Sequence, residues 1–385
     1  MAIEQLRNGK WRVREPNGRK PDGKPDYIVR TFDRKKDAEA FQAEVRYKKN
    51  QGLVALPAKK TFGQLIDEFL EVKRVKRRRR TIDGYEHIAE RHVKPALGHY
   101  SLEAIVKSPL VLEKYLLSLR EVSGKGRNRK GKPLSQKTIA HHRQFIHSVL
   151  EWAFKKRLIP HNPAKLIDPD LPRCQKVERT IPTKEDVEKL LNHLKGNYEL
   201  FIPVLLAVKT GMREGEVLGL RWQDVDFENK VLYVRQAAKW TKKDGLFFEE
   251  PKTPESQQPI EIEEKLVACL REHQRNQKKM AMKLGLGKAY NPLNLVVCRK
   301  DGRPFKPNHF SSRISKVMKR LGITGNFHSL RHFHGTLLID LGFDIQTVAA
   351  RLRHSNPTTT LNIYVKTRRE RLREAAKTFE DWLSV

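Results

Sequence analysis

The chain of 385 residues is long enough for two or three domains with hydrophobic cores, and its 78 lysines and arginines against 45 aspartates and glutamates give it a net charge of +33. This imbalance indicates a polyanionic partner, most simply nucleic acid. The sequence has no long apolar span and no signal peptide that would support a membrane surface as the alternative partner. Its three cysteines lie far apart without a CxxC pair, so they predict neither a zinc site nor a disulfide framework and fit a reducing cytoplasm.

The first segment, up to about residue 52, predicts a small module of three strands and one helix. Asn8 and Gly9 form a type I′ hairpin signal between the first two strands. Apolar residues at helical spacing would let the helix cover one face of the sheet. The predicted strands are residues 3–6, 10–14 and 27–32, and the predicted helix is residues 34–50.

One face of this sheet is expected to be cationic. Trp11 and Val13 alternate with Arg12 and Arg14 along the second strand, so apolar and basic side chains should project to opposite faces. Together with Arg30 on the third strand, these arginines are candidate DNA contacts, because an open basic sheet face fits a DNA groove. A basic face that meets only solvent is the alternative interpretation.

The second module, residues 61–164, is predicted to be all-helical. Thr61 and Gln64 form a capping box, Thr81 is a candidate cap for the next helix, and amphipathic helices are expected at residues 111–119 and 135–157. The run KRVKRRRR repels itself, which favours contact with phosphates over plain solvation. The candidate DNA-contacting residues in this run are Lys73, Arg74, Lys76, Arg77, Arg78, Arg79 and Arg80.

A linker that contains two prolines precedes the last domain, whose first helix is capped by Thr183 and Asp186. The next helix is apolar all round, as a buried helix would be, and Gly211 supplies its stop. Arg213 follows at once and opens a new helix that carries Glu216 three residues along. This arginine is a candidate active-site residue, and a purely structural ion pair with Glu216 is the alternative.

Strands are predicted next, over residues 231–235, 246–250 and 258–262. Lys252 lies in the turn PKTPES between the last two of them. A lysine on a hairpin tip is usually a solvated surface residue. In a basic protein it could also reach a phosphate and donate a proton there.

The most informative stretch of the sequence ends at Tyr364. His328 and Arg331 share one face of a predicted helix. A second helix, capped by Asp344, delivers His354, and the turn SNPTTT separates it from a short helix that carries the tyrosine. Guanidinium and imidazole donors suit the oxygens of a phosphate, and a phenol can attack its phosphorus. The pattern predicts a phosphodiester site with a tyrosine nucleophile.

These pieces resemble the catalytic domain of the tyrosine recombinases, the phage integrase family. The resemblance covers residues 183–364 through the motifs TGMREGEVLGLRW, EEPKTPES, HSLRH and LRHSNPTTTLNIY, taken in that order and spacing. The front modules resemble, more loosely, the arm-site-binding and core-binding domains of integrases from phages and integrative conjugative elements. The chain departs from the family pattern at Arg353, where glycine is usual, and at Ser329, where aspartate is common.

The resemblance implies a multidomain α+β fold. A small three-stranded sheet with a helix, residues 1–56, would bind arm sites, and an all-helical domain, residues 61–164, would bind the core site. A mainly helical catalytic domain with a small antiparallel sheet would span residues 174–385.

The resemblance also implies a set of catalytic roles. The tyrosine would form a 3′-phosphotyrosine, the first histidine would accept or orient its proton, and the lysine would protonate the leaving 5′-oxygen. The two arginines and the second histidine would hold the phosphate oxygens. No cofactor, ATP or metal would be required. The implied catalytic residues are Arg213, Lys252, His328, Arg331, His354 and Tyr364.

The implied function is a site-specific DNA recombinase that integrates and excises a mobile element in the bacterial cytoplasm. Its partners would be double-stranded DNA attachment sites, further copies in a homotetramer, and an accessory excision factor. A type IB topoisomerase-like strand transferase and a non-catalytic DNA-binding regulator are the alternatives. A zinc pair of His328 and His332 is a further alternative, though no HExxH pattern accompanies it. An amphipathic tail after Tyr364 would pack in cis or on a neighbouring protomer.

Overall fold

The computed structural model describes residues 3–19, 25–50, 60–121, 133–167, 181–251 and 254–354. The chain divides into two compact units, Met1–Lys176 and Val177–Val385. The basic loop at 123–133 and the linkers predicted at 53–60 and 165–180 lie largely outside the described residues, and the tail after Tyr364 does so entirely. Within the described ranges, no helix is long and apolar enough to cross a membrane.

The first unit begins with an antiparallel sheet in the order β1-β2-β3, followed by a helix, as predicted. The hairpin forms, but its predicted turn type is wrong. A type I′ turn needs positive φ at both central residues, and here only Gly9 has it, at +79°. Its N–H donates to Leu6 O, and the loop closes as a three-residue turn with the glycine as a bulge. The elements are β1 (Ile3–Gln5), β2 (Trp11–Arg19), β3 (Pro25–Phe32) and α1 (Lys35–Asn50).

The two faces of this sheet differ as expected, with one change. Val13 is fully buried beneath α1, while Arg14 on the opposite face lies over the ring of Tyr27. Arg30 pairs directly with Val13, so it projects to the helix side and lies over the ring of Phe41. The open face therefore carries Arg12 and Arg14 but not Arg30.

In the part of the first unit that the structure describes, six further α-helices pack around one hydrophobic core, in agreement with the predicted all-helical module. The capping box of Thr61 and Gln64 is confirmed. The cap predicted at Thr81 is wrong, because the helix already begins at Arg79. The helices are α2 (Phe62–Lys76), α3 (Arg79–Ile88), α4 (Lys94–Leu97), α5 (Leu102–Lys107), α6 (Leu110–Glu121) and α7 (Gln136–Lys155).

The second unit packs seven described helices around a separate core. The capping box of Thr183 and Asp186 is confirmed, and α9 is buried almost all round before it ends at Gly211. The helices are α8 (Lys184–Leu194), α9 (Phe201–Thr210), α10 (Glu214–Gly219), α11 (Glu264–Lys283), α12 (Pro307–Arg320), α13 (Phe327–Asp340) and α14 (Ile345–Arg351).

Two small antiparallel sheets lie between α10 and α11 in the sequence. The hairpin predicted on either side of Lys252 is wrong, because β7 pairs with β6 and β8 pairs with β5. The connection that contains this lysine therefore joins two different sheets, and residues 252–253 lie outside the described residues. The strands are β4 (Val225–Asp226), β5 (Val231–Leu232), β6 (Ala237–Thr241), β7 (Gly245–Glu249) and β8 (Ile260–Glu261).

Candidate active site

The candidate site forms where the ends of α9, α13 and α14 meet the start of α10. Arg213 is the residue just before α10, and its backbone N–H donates to Glu216 Oε2 at 2.9 Å. Its Nη1 donates to the other carboxylate oxygen at 2.9 Å. The carboxylate is buried while the arginine side chain is 37% exposed. Arg213 is therefore fixed at its base and still accessible from solvent.

Arg331 is the second predicted arginine, and only 2% of it is exposed. Its Nη1 donates to Gly211 O at 2.5 Å, and its Nη2 donates to Leu352 O. These carbonyls follow the last turns of α9 and α14, where backbone oxygens lack helical partners. Arg331 thus joins three elements and places its guanidinium group among them.

The C-terminal turn of α14 positions His354. Asp344 caps the start of the helix by accepting the N–H groups of Gln346 and Thr347, as predicted. At the other end, Arg353 N–H donates to Ala350 O at 2.8 Å and His354 N–H donates to Ala349 O at 3.0 Å. This pair of hydrogen bonds is the Schellman motif, which requires a left-handed residue after the helix.

The left-handed residue is Arg353, with φ of +54°. An L-residue in this conformation costs about 1 kcal/mol, which is why glycine usually occupies such a place. The Arg353 side chain is buried, and its Nη2 lies 2.6 Å from Glu216 Oε2. The departure from the family glycine is therefore accommodated without a change of backbone conformation. Sequence reasoning missed this buried cation, although the position just after a capped helix was a usable signal.

Glu216 is shared between two guanidinium groups. Burial alone would raise the pKa of this carboxyl, but the charges of Arg353, Arg213 and Arg331 together lower it below its usual value. The carboxylate is therefore ionised at neutral pH.

His354 and His328 are the two predicted histidines of the site. Burial first, and then the charges of Arg331 and Arg213, lower the pKa of His354 to about 4, so its imidazole is neutral at pH 7. His328 lies exposed in the first turn of α13 and is near enough to add to that effect. Its ring meets the ring of His332 edge to face, with centroids 4.7 Å apart.

The start of α13 is fixed by a capping box between Asn326 and Ser329. Asn326 Oδ1 accepts His328 N–H at 2.9 Å, and Ser329 Oγ accepts the N–H of the asparagine at 3.0 Å. A short hydroxyl therefore replaces the aspartate that is common in the family, and the first turn remains capped.

His334 is a site-forming residue that sequence reasoning missed. It is buried one helical turn after Arg331, and its Nδ1 donates to Val208 O at 2.8 Å. Burial lowers its pKa to about 4. Gly211 lies against it, and a Cβ at that position would approach His334 Cδ2 within 2.8 Å. The signal was a histidine in an otherwise apolar helix segment, which sequence alone does not separate from core packing.

The described residues therefore bring together four of the six predicted catalytic residues: Arg213, His328, Arg331 and His354. Lys252 and Tyr364 lie outside the described residues. The described part of the chain contains no group of three or more histidine, cysteine, aspartate or glutamate side chains placed to hold a metal ion. Two fixed guanidinium groups and a neutral imidazole lie close together and form a set of donors suited to the oxygens of a phosphodiester.

The fold and this donor set define the second unit as a phosphodiester-binding domain. Comparison with protein families makes the assignment specific. The profile described as the phage integrase family matches residues 181–371, and the profile described as the phage integrase N-terminal SAM-like domain matches residues 61–119. The chain belongs to the phage integrase family of tyrosine recombinases.

Curated relatives match over the whole chain. A tyrosine recombinase XerC-like protein of Caldanaerobacter subterraneus subsp. tengcongensis is 29% identical, over 98% of this chain and 97% of that protein. The ICEBs1 integrase of Bacillus subtilis is 23% identical, over 100% of both.

Solved structures share the fold. The Tn1549 transposon integrase in complex with a circular intermediate DNA aligns with a TM-score of 0.66 at 22% identity, over 82% of this chain and 100% of that one. A lambda integrase dimer bound to a COC′ core site aligns with a TM-score of 0.54 at 16% identity, over 96% and 95% of the two chains. The predicted mainly helical α+β fold with small antiparallel sheets is thereby confirmed.

Proposed function

We propose that this protein is a site-specific DNA recombinase that integrates and excises a mobile element by strand cleavage and rejoining. The observation that carries the proposal is that Arg213 and Arg331 donate to the carbonyls of Arg353 and Leu352, directly before His354, in a member of the phage integrase family. Guanidinium donors fixed before the substrate arrives can stabilise the charge of a pentavalent phosphorus without reorganisation.

The proposed reaction is a transesterification. The phenolic oxygen of Tyr364 forms a bond to the scissile phosphorus as the bond to the 5′-oxygen breaks. His328, exposed at the start of α13, accepts or orients the tyrosine proton, and Lys252 protonates the departing oxygen. A 5′-hydroxyl from another strand then reverses the step and reseals the DNA. The bond energy is retained throughout, so the reaction needs neither ATP nor a metal ion.

Neutral His354 fits this scheme as a hydrogen-bond donor. With its pKa at about 4, it contributes one N–H to a non-bridging oxygen and adds no charge at neutral pH. The positive charge in the site would then come from Arg213 and Arg331. The proposal therefore keeps the predicted role of His354, a hydrogen-bond donor to the phosphate oxygens beside the two arginines.

We also propose three functional modules that contact DNA differently. Residues 1–56 would bind arm sites through the open sheet face with Arg12 and Arg14. Residues 61–164 would bind the core site, and residues 174–385 would perform the chemistry. The end of α2 and the start of α3 support the second role, because Arg74, Arg77, Arg78, Arg79 and Arg80 are exposed there. Lys73 and Lys76 belong to the same proposed DNA-contacting run.

A homotetramer on DNA is the proposed working assembly, with an accessory excision factor as a further partner. A solved lambda integrase tetramer bound to a Holliday junction, which aligns at a TM-score of 0.53, supports the tetramer by analogy of fold. The bacterial cytoplasm is the proposed place of action, where such a protein would meet its DNA sites.

The test incubates the protein in EDTA with a nicked duplex that spans the junction of the mobile element and its chromosome. The nick lets the short fragment that carries the new 5′-hydroxyl diffuse away, so a covalent protein–DNA adduct should accumulate. Tyr364→Phe should abolish the adduct, whereas Tyr233→Phe, a matched loss of a phenol in the same unit, should not. An adduct that survives Tyr364→Phe, or none with the wild-type protein, would contradict the proposal.

A second assay separates the recombinase from the two alternatives. Strand exchange between two attachment-site duplexes is expected only of a recombinase. Relaxation of a supercoiled plasmid that lacks these sites would instead indicate a topoisomerase-like enzyme. Binding of the attachment site without any adduct would indicate a regulator.

A further inference from the structure

Arg353 occupies an unusual place for a charged residue. It is among the largest fully buried side chains described, and its backbone has the left-handed conformation that favours glycine. A buried guanidinium group persists only where a partner offsets its desolvation. The partner here is Glu216, whose Oε2 lies 2.6 Å from Arg353 Nη2.

Arg353 also lies against the rest of the site. Its carbonyl oxygen accepts a long hydrogen bond of 3.5 Å from Arg213 Nη2, and its N–H is part of the turn that holds His354. Its side chain and Arg213 contact opposite oxygens of the same carboxylate. Glu216 is thus bridged between one arginine open to solvent and one enclosed by protein.

This bridge decides how much positive charge the site presents. With a single arginine, the buried Glu216 would cancel most of the charge of Arg213, because the pair lies where screening by water is weak. With Arg353 added, three guanidinium groups surround one carboxylate, since Arg331 also interacts with Glu216. The surplus of charge is available on the exposed side, at Arg213.

We propose that Arg353 is a positioning residue that takes up the charge of Glu216 and so leaves the charge of Arg213 available to a DNA phosphate. This inference rests on the proposed recombinase function. Glu216 still orients Arg213 through its hydrogen bonds. Arg353 offsets the negative charge of Glu216, which would otherwise offset the positive charge of Arg213. The left-handed backbone strain at Arg353 is tolerated because a side chain is needed at this place.

The test measures single-turnover formation of the covalent adduct on the nicked duplex. Arg353→Gly suits the left-handed backbone and removes the cation, so the rate should fall roughly 100-fold, the usual loss when one charge-stabilising donor is disabled. The double variant Arg353→Gly with Glu216→Gln should recover at least about tenfold, because no carboxylate remains to cancel Arg213. Arg353→Gln keeps the bulk of the side chain, and this variant and its double variant with Glu216→Gln should show the same loss and recovery of rate.

Arg351→Gln is the matched control. It removes a neighbouring arginine whose Nη1 donates to Glu261 O at 2.8 Å, away from Glu216, and should leave the rate within about threefold. Thermal unfolding of each variant shows whether it remains folded. Adduct formation at the wild-type rate in both Arg353→Gly and Arg353→Gln would overturn the inference. So would double variants with Glu216→Gln that remain as slow as the single ones, because the loss of a merely structural residue is not rescued by removing a charge. Absence of the adduct with the wild-type protein would instead contradict the proposed function.

Discussion

At the scale of single residues, Arg213 and Arg331 carry the same charge but are held differently. Arg331 is enclosed and bonded to the carbonyls of Gly211 and Leu352, whereas Arg213 is partly exposed and bonded to a side chain. We therefore expect Arg331 to have a structural role in addition to its proposed role as a phosphate donor. Arg213 can change with little effect on the fold.

Replacement of Arg331 by lysine is expected to lower both stability and cleavage. An ammonium group is a point charge that cannot reach both carbonyls in the fork geometry of a guanidinium group. Loss of these charge-assisted hydrogen bonds should cost about 2–4 kcal/mol of unfolding free energy. Denaturant unfolding and adduct formation measure the two effects. Arg213→Lys is the control, expected to reduce cleavage with less than about 1 kcal/mol lost.

Gly211→Ala is expected to destabilise the site through both conformation and contact. The residue has φ of +66°, and an added Cβ would lie 2.7 Å from Leu352 Cδ2 and 2.8 Å from His334 Cδ2. Strain and overpacking together should cost about 2–4 kcal/mol in denaturant unfolding. Gly196→Ala is the matched control, because φ is +77° there with nothing within 4 Å of the new Cβ. It should lose only about 1 kcal/mol, and equal losses would contradict the packing argument.

At the scale of secondary structure, α14 matters because its last turn carries Arg353 and His354. Asp344→Ala removes the acceptor for two N–H groups at its start and should lower the free energy of unfolding. Fraying of this short helix should also slow adduct formation. Thr183→Ala removes a cap of similar strength from α8 and should leave the cleavage rate unchanged. Equal cleavage rates in Asp344→Ala and Thr183→Ala would show that fraying of α14 does not disturb the position of the site residues.

The elements that could be predicted from sequence depend on neighbours within about four residues. The caps at Thr61, Thr183 and Asp344 and the stop at Gly211 are of this kind, and all four are confirmed. A cap requires a side-chain oxygen and an N–H two or three residues later, both visible in the sequence. The order of helices around Arg213 could be predicted for the same reason.

The features that could not be predicted depend on distant partners. The pairing of β8 is one such feature, because its Glu261 pairs with Val231 of β5, far back in the chain, while β7 forms a short hairpin with β6. Arg353 is buried because Glu216, 137 residues earlier, receives it. Arg30 faces the helix because it pairs with Val13, and the register of β3 against β2 follows a long connection that sequence alone did not fix.

At the scale of the whole molecule, buried histidines link stability to pH. Burial lowers the pKa of His142 in the first unit and of His334 in the second to about 4, whereas both would titrate near 6.5 in the unfolded chain. The unfolded state therefore binds more protons between about pH 4 and 6.5, and unfolding free energy should fall as pH drops through this window.

The expected loss is about 3 kcal/mol per histidine between pH 7 and pH 4. Denaturant unfolding at pH 7.5, 5 and 4 measures it. His142→Gln should flatten the response of the first unit, and His334→Gln should reduce that of the second, to which His354 also contributes. Glu216 adds a separate decline at lower pH, because its pKa is held below the usual value and protonation costs stability there. Equal stability at pH 7.5 and 5 would show that both histidines protonate freely when folded.

The net charge of +33 leads to the last prediction, a steep dependence of DNA affinity on salt. Contacts to several phosphates release counterions, so affinity should fall by about a thousandfold or more between 50 and 200 mM salt. Arg77→Gln should reduce the slope of log affinity against log salt by about 1, because it is an exposed cation of the basic run. Arg275→Gln is the matched control, since it removes an exposed cation of α11 that lies outside this run. Equal slope changes in the two variants, measured by fluorescence anisotropy, would show that bulk charge and not this surface sets the affinity.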